Sequence, residues 1–152
     1  MVVRRIARPL LSSIFVMGGL DAVLRPESKA PAAQKVVGTH AAGLPGVADT
    51  TQLVRVDGAA KVLAGSLLAL NRFPRPAALA LAVSLVPTTF AGHRFWEERD
   101  DQKRAMQQLQ FAKNASILGG LLLAAADTEG RPSLSWRAHR AAERAARKVT
   151  TS

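Results

Sequence analysis

Four long apolar runs constrain this chain more than any other feature. A helix needs about 20 predominantly apolar residues to cross the hydrocarbon of a bilayer, with a usable range of about 17–25. Ile6–Leu24, Leu53–Asn71, Pro76–Gly92 and Leu109–Ala126 each approach that length. The runs predict an all-α fold, an integral membrane four-helix bundle over residues 1–127, with helices at about 6–24, 53–71, 76–92 and 109–126. A basic cytoplasmic tail over 128–152 follows, with a basic helix carrying Trp136. A soluble bundle would need a polar stripe on each helix. Ala77–Pro87 and Ile117–Ala126 offer almost none. A cleaved signal peptide would suit the basic start, but Asp21 follows the first apolar run without a cleavage signal, so that helix is read as retained.

Composition narrows the chemistry. Ala, Leu and Val dominate, only 5% of residues are aromatic and Tyr is missing, which favours helices over strands. The sequence has no Cys, so thiolate catalysis, disulfide exchange and Cys-ligated metal or iron–sulfur centres are excluded, and no metal site is expected. The net charge is +10, but the positive residues sit between and outside the apolar runs. That is a membrane pattern and not a nucleic-acid surface. Pro9 is expected in the first turn of its helix and Pro87 inside the third, where Thr88 and Thr89 could bond back to the backbone around a kink.

The basic residues orient the bundle. With the N-terminus inside, the inner side holds Arg4, Arg5, Arg8, Arg72, Arg75, Arg131, Arg137, Arg140, Arg144, Arg147 and Lys148, 11 in all. The outer loops hold 7, namely Arg25, Lys29, Lys35, Arg94, Arg99, Lys103 and Arg104. Lys and Arg are enriched in cytoplasmic loops, so both termini are expected in the cytoplasm. Asn71–Arg75 is a tight hairpin connection, whereas the loop from Arg25 to Gln52 is long, irregular and able to hold one short helix.

This topology gathers polar residues toward one end. Asp21, Arg55, Asp57, Lys61, His93, Trp96, Lys113 and Asn114 all fall in the outer half, and no charge is expected within the inner half. A charge at the centre of a membrane helix costs about 2.5–3.5 kcal/mol on insertion scales, so such residues face the bundle interior and pair. Asp57 and Lys61 are four apart on one helical face, and Asp21 is a candidate partner for Lys113 or Arg55. The cluster reads either as a ligand pocket or as a structural ion-pair network. His40 and His93 share that side, too few for a zinc site. Small residues at helix-packing spacing, such as Ala60/Ala64 and Ala115/Gly119, allow close helix contact and leave a homo-oligomer open.

Three runs resemble the DoxX family of small bacterial membrane proteins: Arg55-Val-Asp-Gly-Ala-Ala-Lys-Val-Leu-Ala-Gly65, Pro87-Thr-Thr-Phe-Ala-Gly-His-Arg-Phe-Trp-Glu97 and Phe111-Ala-Lys-Asn114 leading into Gly119-Gly120. The resemblance spans about Arg5 to Asp127 and implies a four-helix protein of the bacterial plasma membrane. It also implies a link to redox work, since relatives include a subunit type of thiosulfate:quinone oxidoreductase and partners in oxidative-stress or thiol-homeostasis complexes. On that basis the chain is expected to be a binding or anchoring subunit of a membrane redox assembly, with quinone as its candidate ligand and not a self-sufficient enzyme. Its partners would be the lipid bilayer and soluble or membrane redox proteins. The alternative is a binder or carrier of a small, lipid-like molecule in an outward-facing polar pocket.

Overall fold

The computed structural model describes residues 2–34, 50–128 and the tail residues Trp136, His139, Arg140 and Glu143. Four long helices carry the fold: α1 (Val2–Leu24), α2 (Thr50–Ala69), α3 (Pro74–Gly92) and α4 (Asp101–Ala126). Short 3-10 turns follow α1 at Pro26–Ser28 and α3 at Phe95–Glu97, and residues 30–34 are helical. The rest of the long loop, with His40, lies outside the described residues. The four tail residues are helical, and the Arg140 guanidinium stacks 5.0 Å from the Trp136 ring centre.

α1, α3 and α4 are each long and apolar enough to span a bilayer. The second segment, expected to be a membrane helix, is helical but less uniformly apolar over a bilayer-length stretch than the other three. α2 is also long, but Arg55, Asp57 and Lys61 dilute its apolar character, and it does not meet that description by composition. All four helices start earlier than expected, α4 and α1 by the widest margins. α4 begins at Asp101 and not near 109, because the Asp100 carboxylate accepts the Lys103 N–H at 2.9 Å and caps a polar first half that hydropathy does not register. α1 begins at Val2, which makes Pro9 an interior residue and not a first-turn one. The hydroxyls of Ser12 and Ser13 donate to the carbonyls of Pro9 and Leu10. α3 runs through Pro87, and Thr88 and Thr89 donate back to the Ser84 and Leu85 carbonyls at 2.7 and 2.8 Å.

The α2–α3 hairpin is closed by an ordinary helix-stop geometry at an unusual place. Asn71 adopts φ 57° and ends α2. Its N–H donates to the Leu68 carbonyl at 3.2 Å, while the Arg72 N–H donates to Leu67 at 2.8 Å. These are the paired bonds of a Schellman motif with Asn in place of Gly. Phe73 then takes φ 50°, a left-handed conformation that an aromatic residue adopts at a cost of about 1–3 kcal/mol.

α1 packs chiefly on α2, and α4 on α3, with α3 completing the hairpin against α2. The core consists of Phe15, Leu68, Ala77, Ala78, Leu81, Ala82, Leu85 and Leu121. The α1–α2 contact is the tightest. A Cβ placed on Gly19 would lie 2.6 Å from the Gly58 carbonyl oxygen, and one on Gly58 would lie 2.8 Å from that of Gly19. Gly65 meets Val16 and the Ser12 carbonyl in the same way, at 2.9 and 3.4 Å. In lipid, where no hydrophobic effect drives helices together, backbone approach of this kind supplies the packing.

We therefore expect Gly19→Ala and Gly58→Ala each to lower stability in detergent by about 1–3 kcal/mol, the usual penalty for overpacking. Gly18→Ala should be neutral or stabilising by up to about 1 kcal/mol, since its Cβ would meet nothing within 4 Å and Ala is the better helix former. Thermal denaturation of the three variants checks this, and equal losses at positions 18 and 19 would remove the glycine contact from the account.

Candidate functional site

The polar groups of the α2–α3 hairpin form one connected set. Asp57 and Lys61 lie one turn apart on α2, and Lys61 Nζ is 2.6 Å from Asp57 Oδ2. Ser84 and Thr88 lie one turn apart on α3 and face them. Ser84 Oγ donates to Asp57 Oδ1 at 2.6 Å, and Lys61 Nζ donates to Thr88 Oγ1 at 2.9 Å. The Lys61 side chain is only 12% exposed and that of Asp57 44%. An ammonium has three protons to donate. Asp57 and Thr88 take two of them, which leaves one for a further acceptor.

A second polar set joins α3 to α4. Asn114 Nδ2 donates to the buried Thr89 hydroxyl at 3.1 Å. His93, which ends α3, places Nδ1 2.8 Å from Gln107 Oε1. With the amide oxygen as acceptor, Nδ1 donates, and Nε2 is the ring nitrogen left for a further contact.

Between these sets lies a cavity of about 480 Å³. α1 contributes Ile14, Phe15, Gly18, Gly19 and Ala22, and α2 contributes Leu53, Val54, Asp57 and Lys61. Leu85, Pro87, Thr88, Gly92 and His93 come from the end of α3, while Asn114 and Ile117 come from α4. Ser28, Lys29, Ala32 and Ala33 lie along its loop side. The walls are mainly apolar, with a few polar groups in defined positions, which is the usual constitution of a small-molecule site.

Of the eight residues singled out in the sequence, the cavity brings together Asp57, Lys61, His93 and Asn114. The other four stand apart. Asp21 does not pair with Lys113 or Arg55, the partners that topology suggests. Its carboxylate is 2.5 Å from Lys29 Nζ, which also donates to the Gly18 carbonyl at 3.2 Å. The chain reverses at Pro26–Ser28 and returns Lys29 along α1, a local contact that helix-to-helix reasoning passes over. Arg55 lies 4.0 Å from Glu27, with both side chains more than half exposed. Such a pair contributes little. Lys113 is on the exposed face of α4. Trp96 belongs to an aromatic group with Phe90, Phe95 and Phe111, at ring-centre distances of 5.1–6.4 Å. Ser84, Thr88, Gln107 and Lys29 were missed. Ser84 and Thr88 had a legible signal: folded about the hairpin turn, their one-turn pair falls opposite Asp57 and Lys61.

The far end of the bundle holds a charge that was not expected. Arg8 is 4% exposed inside α1, and its Nη2 is 3.1 Å from Asp127 Oδ2. Arg4 Nε approaches the same oxygen at 2.6 Å. An interior arginine at this end corrects the reading that all intramembrane charge lies in the other half. Asp127, just beyond α4, makes the position tolerable.

A model of the DoxX family matches residues 4–94, more than half of the chain, with α1 from Arg4 onward and all of α2 and α3. The chain belongs to the DoxX family. The match covers Asp57, Lys61, Ser84, Thr88 and His93, and ends before the Phe111–Asn114 run of α4. No curated protein and no solved structure matches this DoxX protein.

The hairpin set yields a coupling test. Removing one member of a charged pair strands the other, at about 3–5 kcal/mol when both are fully buried, while apolar replacement of both can be nearly neutral. Partial exposure of Asp57 scales this down. Asp57→Leu and Lys61→Leu should each cost about 1–3 kcal/mol in detergent, and the double variant should cost less than their sum. Strict additivity would mean that Ser84 and Thr88, rather than the partner charge, carry the stabilisation.

Proposed function

We propose that this DoxX protein is a binding subunit of a membrane redox assembly that holds a lipophilic, quinone-type molecule in the cavity between α1 and the hairpin. The observation that carries the reading is the pairing of an apolar cavity of about 480 Å³ with a Lys61 proton not committed to Asp57 or Thr88. A quinone carbonyl would accept that proton, and His93 Nε2 or Asn114 Oδ1 would receive a hydroxyl of the reduced form. The ring and tail would lie against Ile14, Phe15, Leu85 and Ile117. The chain would bind and position the quinone, and the electrons would be exchanged with a partner redox protein. In this reading the chain resides in a bacterial plasma membrane with α2 as a fourth crossing, both termini are cytoplasmic and the cavity opens toward the outer side.

A second reading, a carrier of a lipid-like molecule, rests on the same cavity. One titration separates the two. A decyl-tailed benzoquinone added to the purified protein in detergent should bind saturably by calorimetry. Lys61→Met and His93→Ala should weaken binding about tenfold each, roughly the loss of one hydrogen bond to a charged or well-placed group. Gly18→Leu should abolish it without unfolding the bundle, because a side chain there enters open space beside the cavity. Saturable binding of a decyl alcohol with equal affinity would favour the lipid carrier. Linear partitioning unchanged by Gly18→Leu would remove the binding role and leave an anchor.

A further inference from the structure

We infer that the end of the bundle opposite the cavity holds a specific site for the phosphate of an anionic phospholipid, built by Arg72 and Arg75 beside the Arg4–Arg8–Asp127 clamp. Guanidinium groups from two parts of the fold converge on the last turn of α4. Arg4 and Arg8 reach Asp127 from α1, and Arg75 Nε donates to the Ala125 carbonyl at 2.8 Å from the start of α3. Among the described residues, the first two turns of α1, the hairpin turn and the start of α3 carry Arg4, Arg5, Arg8, Arg72 and Arg75.

Among the described residues Arg75 is anchored through Nε, and its two terminal nitrogens are placed for a second, two-pronged contact. That is the geometry with which arginine grips phosphate. Arg72 is exposed, three residues before it, on the hairpin turn. The turn supplies an independent observation. Phe73 holds a left-handed φ of 50° and is 72% exposed, although Gly or Asn would fit that backbone better. Strain of this kind persists where the surroundings use it. Phe73 lies between Arg72 and Arg75 in sequence and is exposed at the end of apolar helices, where a lipid offers a phosphate beside its glycerol and acyl chains. Basic pockets between membrane helices are known sites for anionic headgroups. The inference does not depend on which side of the membrane this end faces, nor on the ligand of the cavity.

The test is thermal denaturation of the full chain in mild detergent with added phosphatidylglycerol, with phosphatidylcholine of the same acyl chains, or with inorganic phosphate. Phosphatidylglycerol should raise Tm saturably, and phosphatidylcholine should not. The gain should fall by at least half in Arg72→Gln/Arg75→Gln and persist in Arg5→Gln, whose position is one residue off the Arg4–Arg8 face. Equal gains from both lipids would overturn the site. So would a full gain from inorganic phosphate alone, which would make it a free-anion site, or an equal loss in Arg5→Gln, which would make the effect diffuse. Should the double variant fail to fold, the unaltered protein still decides. The gain specific to phosphatidylglycerol must shrink as salt is raised, and a gain indifferent to salt would contradict a phosphate–guanidinium contact.

Discussion

The close approach of the α1 and α2 backbones at Gly19 and Gly58 governs the rest of the molecule. With no side chain on either residue, each carbonyl sits where the other's Cβ would be. The contact also brings Gly19 against the Lys61 Cβ and seats Asp57, the neighbour of Gly58, at the same level. A charged pair in a helix of this setting needs a packed, partly screened position. The glycine crossing provides one wall of it and the α3 hydroxyls another. α2 carries Arg55, Asp57 and Lys61, and α1 and α3 both pack against it.

The two ends of the bundle then differ in construction. At one end α1 and α4 are held together, through Leu11 against Gly120 and through Arg4 and Arg8 on Asp127. Toward the other end they separate, and the cavity occupies the gap, with Phe15 and Gly18 on one side and Asn114 and Ile117 on the other. Clamping one end while opening the other gives a small bundle an internal volume without losing its core. The Leu68–Leu81–Leu121 layer stays fully buried between them.

Much of this was legible in the residues. The apolar runs located the helices, the one-turn spacing of Asp57 and Lys61 gave their pairing, and the Thr88 and Thr89 hydroxyls bond back as the sequence suggests. The family resemblance is matched over residues 4–94. What escaped had physical causes. Hydropathy cannot register a capped polar half-helix such as the start of α4. The spacing of small residues along single helices drew notice to Ala60/Ala64, whereas Gly19 and Gly58 are far apart in sequence and matter only as a pair across helices. Asp21 was assigned a distant partner because the 3-10 reversal that returns Lys29 to it leaves no periodic signal. Arg8 looked like a cytoplasmic flank because its acid, Asp127, lies 119 residues away.

The absence of cysteine permits a direct measurement of the α1–α2 register on which the account rests. A Cβ on Gly65 would lie 3.5 Å from that of Phe15, within the about 3.5–4.5 Å that a disulfide spans. Phe15→Cys/Gly65→Cys, oxidised in native membranes, should form an intrachain bond in high yield. Gly18→Cys/Gly65→Cys, with one sulfur on an open face of α1, should not. Equal yields from both pairs, or cross-linking between chains only, would contradict the glycine-mediated crossing and the cavity that depends on it.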